Sequence, residues 1–173
     1  MTAPRNTDSF DDIVEWAYGT LPQEVRDLPD FPGIQVVDEP PADLFDRMAK
    51  RGNWPQGTQL LGCFSGMPRT KRSVNFIAMS PELIFVFRGP ILRCTRGHLA
   101  AEVKRVVWHE VAHWLGHDEK EVAELGLSSH ASPQDAAHQQ LEDRRTEADF
   151  QAAQMTIQQK LKQNSNEPRD DNP

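Results

Sequence analysis

The stretch Val107-Trp108-His109-Glu110-Val111-Ala112-His113-Trp114-Leu115-Gly116 decides the reading of this chain, because it contains His-Glu-x-x-His. On an α-helix of 3.6 residues per turn, positions i and i+4 stand about 40° apart on one face. Two imidazoles so spaced can hold one metal ion, with the intervening acid beside them. Zinc is the expected ion, since a catalytic zinc takes three protein ligands and keeps a fourth position for water. His109 and His113 are the expected ligands. Glu110 is the expected general base, taking a proton from the zinc-bound water and handing it to the leaving amine of a cleaved amide.

Gly116 sets up the third ligand, because a helix that stops there lets a downstream side chain swing back to the ion. In the extended metzincin pattern, His-Glu-x-x-His-x-x-Gly-x-x-His, the place of the last His is occupied here by Glu119, whose carboxylate can replace an imidazole. The alternatives are Asp118, then His117, and a Glu on a later helix, Glu124 or Glu142. Asp118, Glu119 and Glu121 also suit the charged start of a following helix, where carboxylates meet the positive end of the dipole. A donor for the developing oxyanion has five candidates, Tyr18, His98, His117, His130 and His138.

Working outward, Thr95 is the expected cap of a helix from Arg96 to Leu115. On it Leu99, Val103, Val106, Val107 and Trp114 form an apolar arc that includes Glu110 and His113, with His109 at the margin, so the metal-binding side faces inward. Upstream, Leu83-Ile84-Phe85-Val86-Phe87 does not alternate and reads as a strand covered on both faces, broken by Gly89-Pro90. Leu60 to Phe64 and Ile34 to Val37 are further strands, with Val74 to Ala78 as another candidate. Helices are expected after the Ser9 cap up to Gly19, over Pro22 to Leu28, and from Ala42 to Lys50 with Gly52 closing it; residues 51–58 read as a loop. The expected fold is α+β, a short mixed sheet packed on the His-Glu-x-x-His helix.

The chain of 173 residues suits one domain with an appendage. Residues 1–127 are expected to form the domain, 128–163 a polar helical extension, and 164–173 a disordered tail. The extension has only a thin apolar stripe, Leu141, Ala148, Ala152, Met155 and Leu161. It suits a solvated helix lying on the domain, or a docking helix for a partner or a second copy. A net charge of −7 without a basic stripe argues against nucleic acid or an anionic membrane as partner. The polar start carries no signal-like apolar run, so the expected location is cytoplasmic. Cys63 and Cys94 sit in or beside apolar segments and read as small buried hydrophobes.

Three segments resemble the minimal zincin-like metallopeptidases, short bacterial proteins: Leu60 to Pro68, Ile84 to Ile91 and Val107 to Gly116, in that order and spacing. Trp16 to Pro22 and Val36 to Pro41 are similar too, so the likeness covers roughly residues 9 to 127. It implies a compact zincin domain with zinc on His109 and His113, Glu110 as base, and a peptide or protein substrate. Members of that family commonly carry Asp where this chain has Glu119, a departure of one methylene.

Two other functions fit parts of the pattern. Gly62-Cys63-Phe64-Ser65 upstream of the motif is reminiscent of peptide deformylases, in which a cysteine completes the site, so Cys63 is an alternative third ligand. A catalytically silent, zinc-stabilised binding module would close the site with a fourth ligand, from Asp118 with Glu119 or from Cys63, and use the polar helix for a partner.

Overall fold

The computed structural model describes residues 4, 8–52, 58–73, 81–95, 97–127, 130–131, 151–152 and 154–159. Helix α1, Phe10–Gly19, starts at a capping box in which Ser9 Oγ accepts from Asp12 N–H at 3.2 Å and Asp12 Oδ2 accepts from Ser9 N–H at 2.9 Å. A single turn, α2 at Gln23–Arg26, leads to strand β1, Gly33–Val37, and then to α3, Ala42–Gly52. The predicted strand at Leu60 to Phe64 is split. Gln59–Leu60 forms β2 and Gly62–Ser65 forms β3, and they belong to different sheets. The candidate strand at residues 74–78 lies outside the described residues.

Strand β4, Leu83–Phe87, is central in the order β1-β4-β3, parallel to β1 and antiparallel to β3. Its unbroken apolar run follows from that position. On one face Ile84 and Val86 join the main core of α1 and the metal-motif helix; on the other Phe87 packs with Leu60, Cys63 and the α3 side chains Leu44, Phe45 and Met48. Sheet and helices are thus arranged as α+β.

Gly89-Pro90 ends the strand, but by opening a helix: α4 runs over Arg88–Cys94. Thr95 therefore belongs to the end of α4, where its Oγ1 donates to Ile91 O at 2.7 Å, and it does not cap the next helix. That helix, α5 at Leu99–Leu115, begins three residues later than its expected start, with His98 as N-cap. Proline is tolerated in the first turn of a helix, where its missing N–H has no partner to lose, and this is what the sequence reading of a break overlooked.

Gly116 ends α5 at φ 101°, and a Cβ there would collide with the Thr70 side chain in the 3-10 turn Arg69–Lys71. We expect Gly116→Ala to lose about 2 kcal/mol of stability from the left-handed backbone and the collision together; urea denaturation measures it. Beyond Gly116 come α6 at Glu119–Glu124 and the two-residue strand β5, His130–Ala131, which pairs antiparallel with β2.

Residues 154–159 are helical, and Ile157 is fully buried in the main core, while Gln158 reaches Glu24 at 3.5 Å. The apolar contact of this helix is thus Ile157; Met155, assigned to the stripe, is 61% exposed. Leu141, Ala148 and Leu161 lie outside the described residues, as does the expected disordered tail. No described helix is long and apolar enough to cross a membrane.

Candidate metal centre

His109 and His113 project from consecutive turns of α5, their rings 4.5 Å apart and nearly perpendicular. Placed at the margin of the apolar arc by sequence, His109 is the more enclosed of the two, with 3% of its side chain exposed against 25% for His113. The arc counts only what α5 itself presents. Residues after α5 supply the rest of the cover, since the carbonyl of Leu127 accepts the hydrogen bond of His109 Nδ1.

His113 makes the equivalent contact, its Nδ1 donating to the His117 carbonyl at 3.0 Å. A carbonyl can only accept, so both rings carry a proton on Nδ1 and turn Nε2, the atom that would ligate a metal, toward the same space. Histidines that ligate a metal are held in this way.

Glu119, the first residue of α6, enters that space from the other side, its Oε2 standing 3.1 Å from His113 Nε2 and 4.0 Å from His109 Nε2. The ligand atoms of the three residues lie within 4.8 Å of one another. Zinc bonds of about 2.0–2.1 Å in a tetrahedron separate neighbouring ligand atoms by about 3.3 Å, so small side-chain movements suffice to seat an ion here. The donor set, two imidazoles and a carboxylate, is one that zinc takes.

Glu110 is 3% exposed, and its position is set by strand β3. The Phe64 N–H donates to Glu110 Oε2 at 2.7 Å, while Oε1 stands 3.9 Å from His109 Nε2. This approach needs Gly62. A Cβ there would come within 2.8 Å of Val106 Cγ1 and 2.9 Å of Glu110 Oε1. Nothing in the sequence pattern singled out Gly62 or the Phe64 amide; a glycine inside a strand, which often marks a close backbone approach, was the available signal. Gly62→Ala should displace the Glu110 carboxylate and cut any activity of this site by tenfold or more while leaving metal content unchanged. Kinetics beside elemental analysis would check this.

The other sequence candidates are placed elsewhere. Asp118 caps α6, accepting from Glu121 N–H at 2.9 Å. His117 is buried, its Nδ1 3.6 Å from Glu121 Oε2, and it serves the site through its carbonyl. Glu124 is exposed beside Lys120 at 3.9 Å. Tyr18 packs edge-on against Phe31 near β1, at the opposite edge of the sheet from Phe64, and His98 is exposed at the start of α5. Glu142 and His138 lie outside the described residues; of His130 the backbone is described.

Cys63 is corrected outright as a ligand. Gly62 faces Glu110, so its neighbour faces the opposite side of the sheet, where Cys63 packs with Leu60 and Phe87. Burial, with the Glu110 charge, pushes its thiol up to about 12, so it stays protonated and inert.

Burial, reinforced by the neighbouring His113, holds His109 down to about 3. Burial also opposes charge on His113, but Glu119, Glu110 and the His117 carbonyl outweigh it and raise that ring above its ordinary value. For His109 the sign follows directly. The unfolded ring binds a proton near pH 6.5 and the folded ring resists it until about 3, so its contribution to stability is complete above pH 6.5 and declines as pH falls through that window. In chelator-treated protein, the melting temperature should therefore fall less steeply between pH 6.5 and 4 for His109→Gln than for wild type, as calorimetry can measure.

No curated protein matches this chain. A profile of the zincin-like metallopeptidase family, however, matches residues 33–127, a span that begins at β1, contains the sheet and all of α5, and ends at the residue whose carbonyl holds His109. That match covers more than half of the 173 residues and includes His109, Glu110, His113 and Glu119. The chain belongs to the zincin-like metallopeptidase family.

Proposed function

We propose that this protein is a zinc-dependent metallopeptidase, with His109, His113 and Glu119 as metal ligands and Glu110 as general base. The observation that carries the proposal is the convergence of two Nε2 atoms and the Glu119 carboxylate beside a carboxylate fixed by a strand amide. When bound, zinc supplies Lewis acidity, lowering the pKa of a water and polarising the substrate carbonyl.

The chain's own residues do the rest. The Leu127 and His117 carbonyls hold the two imidazoles in one tautomer and orientation. The Phe64 amide occupies Glu110 Oε2 and leaves Oε1 toward the metal-binding side, where it accepts a proton from the attacking water and returns it to the leaving nitrogen. Phe87 N–H donates to Leu61 O at 2.9 Å, which sets the alternation of the antiparallel pair and turns the backbone groups of Gly62 and Phe64 away from β4. An extended substrate lies along that outer edge, next to Glu110.

Against the silent binding module, Asp118 is engaged as a cap and Cys63 faces away, leaving no fourth side-chain ligand among the described residues. A peptide library tests the function. Cleavage should be abolished by a zinc chelator and restored by added zinc, with the melting temperature falling by several degrees on metal removal. Absence of cleavage by the zinc-loaded protein on every library member would contradict it.

A further inference from the structure

A cluster of paired charges stands where the chain leaves β3. Arg72, just past the 3-10 turn, pairs through its two terminal guanidinium nitrogens with Asp30 Oδ2 and Glu82 Oε2. Only 13% of the Arg72 side chain and 11% of the Glu82 side chain are exposed, so solvent screens this pair weakly. The cluster is rooted in the rest of the fold. Glu82 directly precedes β4, and its carbonyl accepts from Gly33 N–H of β1 at 3.3 Å. Asp30 also holds Arg69 Nε at 3.3 Å, and the Arg69 guanidinium lies 5.3 Å from the ring centre of Trp114 on α5.

What the cluster grips is backbone. Met67 N–H donates to Glu82 Oε1 at 3.1 Å, and Arg72 Nε donates to Met67 O at 3.0 Å, so the donor and the acceptor of one residue are both held by one ion pair. The pairing of β3 with β4 ends at Ser65 and Leu83. Beyond that point the Arg72 and Glu82 side chains supply the hydrogen bonds that the ladder no longer does.

One short link joins this clamp to Glu110. A Cβ on Gly66 would come within 2.6 Å of Phe64 Cζ and 3.0 Å of Glu82 Cδ, so the Phe64 ring and the Glu82 carboxyl both pack on the Gly66 backbone. It is the Phe64 N–H that donates to Glu110 Oε2 at 2.7 Å. A displacement of Met67 therefore reaches the anchor of Glu110 through Gly66 and Phe64, and a misplacement of about 1 Å can cost a reaction about 10²-fold.

Resting on the peptidase reading above, we propose that Arg72, together with Glu82, is a positioning residue that fixes the turn after β3 and so keeps the Phe64 amide on the Glu110 carboxylate. Arg72 acts through Met67 and Phe64; the proton transfer itself stays with Glu110.

Amide hydrogen exchange in the chelator-treated full chain reads the clamp without any activity. In Arg72→Gln the Phe64 and Met67 amides should accelerate at least tenfold more than the Phe87 N–H, which donates to Leu61 O in the same pair of strands and reports any general loss of stability. With zinc restored, the same variant should keep its metal and its KM and lose about tenfold in kcat, less than Glu110→Gln, because the base is still present. Arg72→Gln leaves the Glu82 charge without this partner, at a cost to folding. Arg72→Lys is therefore measured beside it, since lysine keeps a charge between Asp30 and Glu82 but brings no Nε to the Met67 carbonyl. Both variants should show the selective exchange at Phe64 and the fall in kcat. Exchange at Phe64 unchanged in both, or accelerated no more than at Phe87, would reduce Arg72 to a structural ion pair and overturn the proposal. So would an unchanged kcat. Wild type that cleaves no peptide contradicts the peptidase reading instead, and the exchange rates alone then decide whether the clamp holds Phe64.

Discussion

Glu110→Gln should retain a full complement of zinc and lose peptide hydrolysis by roughly 10²–10⁴-fold, the usual contribution of a positioned general base. The substitution is nearly isosteric, and the amide oxygen of Gln can still accept from the Phe64 N–H that now donates to the carboxylate at 2.7 Å. The 3% exposed side chain therefore keeps its anchor and packing, and only its ability to take a proton is removed. A fall in kcat with little change in KM is expected, because the lost interaction is made in the transition state. Elemental analysis of the same sample separates this from metal loss. Full activity in the variant would show that the proton goes elsewhere.

The second large effect is expected at His109. Because this ring is enclosed and its Nδ1 donates to the Leu127 carbonyl, His109→Ala removes a metal ligand, opens a cavity in the core and leaves a buried acceptor without that partner. Zinc content should fall to trace levels, hydrolysis should vanish, and unfolding should come about 2–4 kcal/mol earlier than in metal-free wild type. At Glu119, with its side chain 57% exposed, the same truncation should cost metal without comparable damage to the fold. Denaturation of both variants in chelator tests the contrast. Equal destabilisation would mean that the burial of His109 does not carry the difference.

The sequence was most legible where one element's own pattern decides its place. Leu83 to Phe87 reads as a strand covered on both faces because every residue in it is apolar, and it is the centre of the sheet. The Ser9 cap that starts α1 and the Gly116 stop that ends α5 follow from local capping chemistry, which needs no tertiary partner. The i, i+4 spacing of His109 and His113 placed both rings together, and the helix stop at Gly116 brought Glu119 back to them.

What stayed hidden was the part of the site made by backbone. The Leu127 and His117 carbonyls and the Phe64 amide belong to no residue type, so no composition or spacing marks them. The burial of His109 was missed for a related reason: α5's arc says nothing about a segment twelve or more residues downstream that folds over it. Cys63 failed as a ligand through period-two alternation; the glycine before it takes the face against Glu110 and sends the thiol to the other side. Ile157 was passed over in favour of a helical stripe through Met155, although only the former reaches the core.

Metal content is the most direct test of the three-ligand centre. Purified wild type, His113→Ala and Glu119→Ala should be compared by elemental analysis after identical exposure to zinc and dialysis. The proposed site predicts near-stoichiometric zinc in wild type and its loss from both variants. Zinc retained by Glu119→Ala, or absent from wild type, would contradict it.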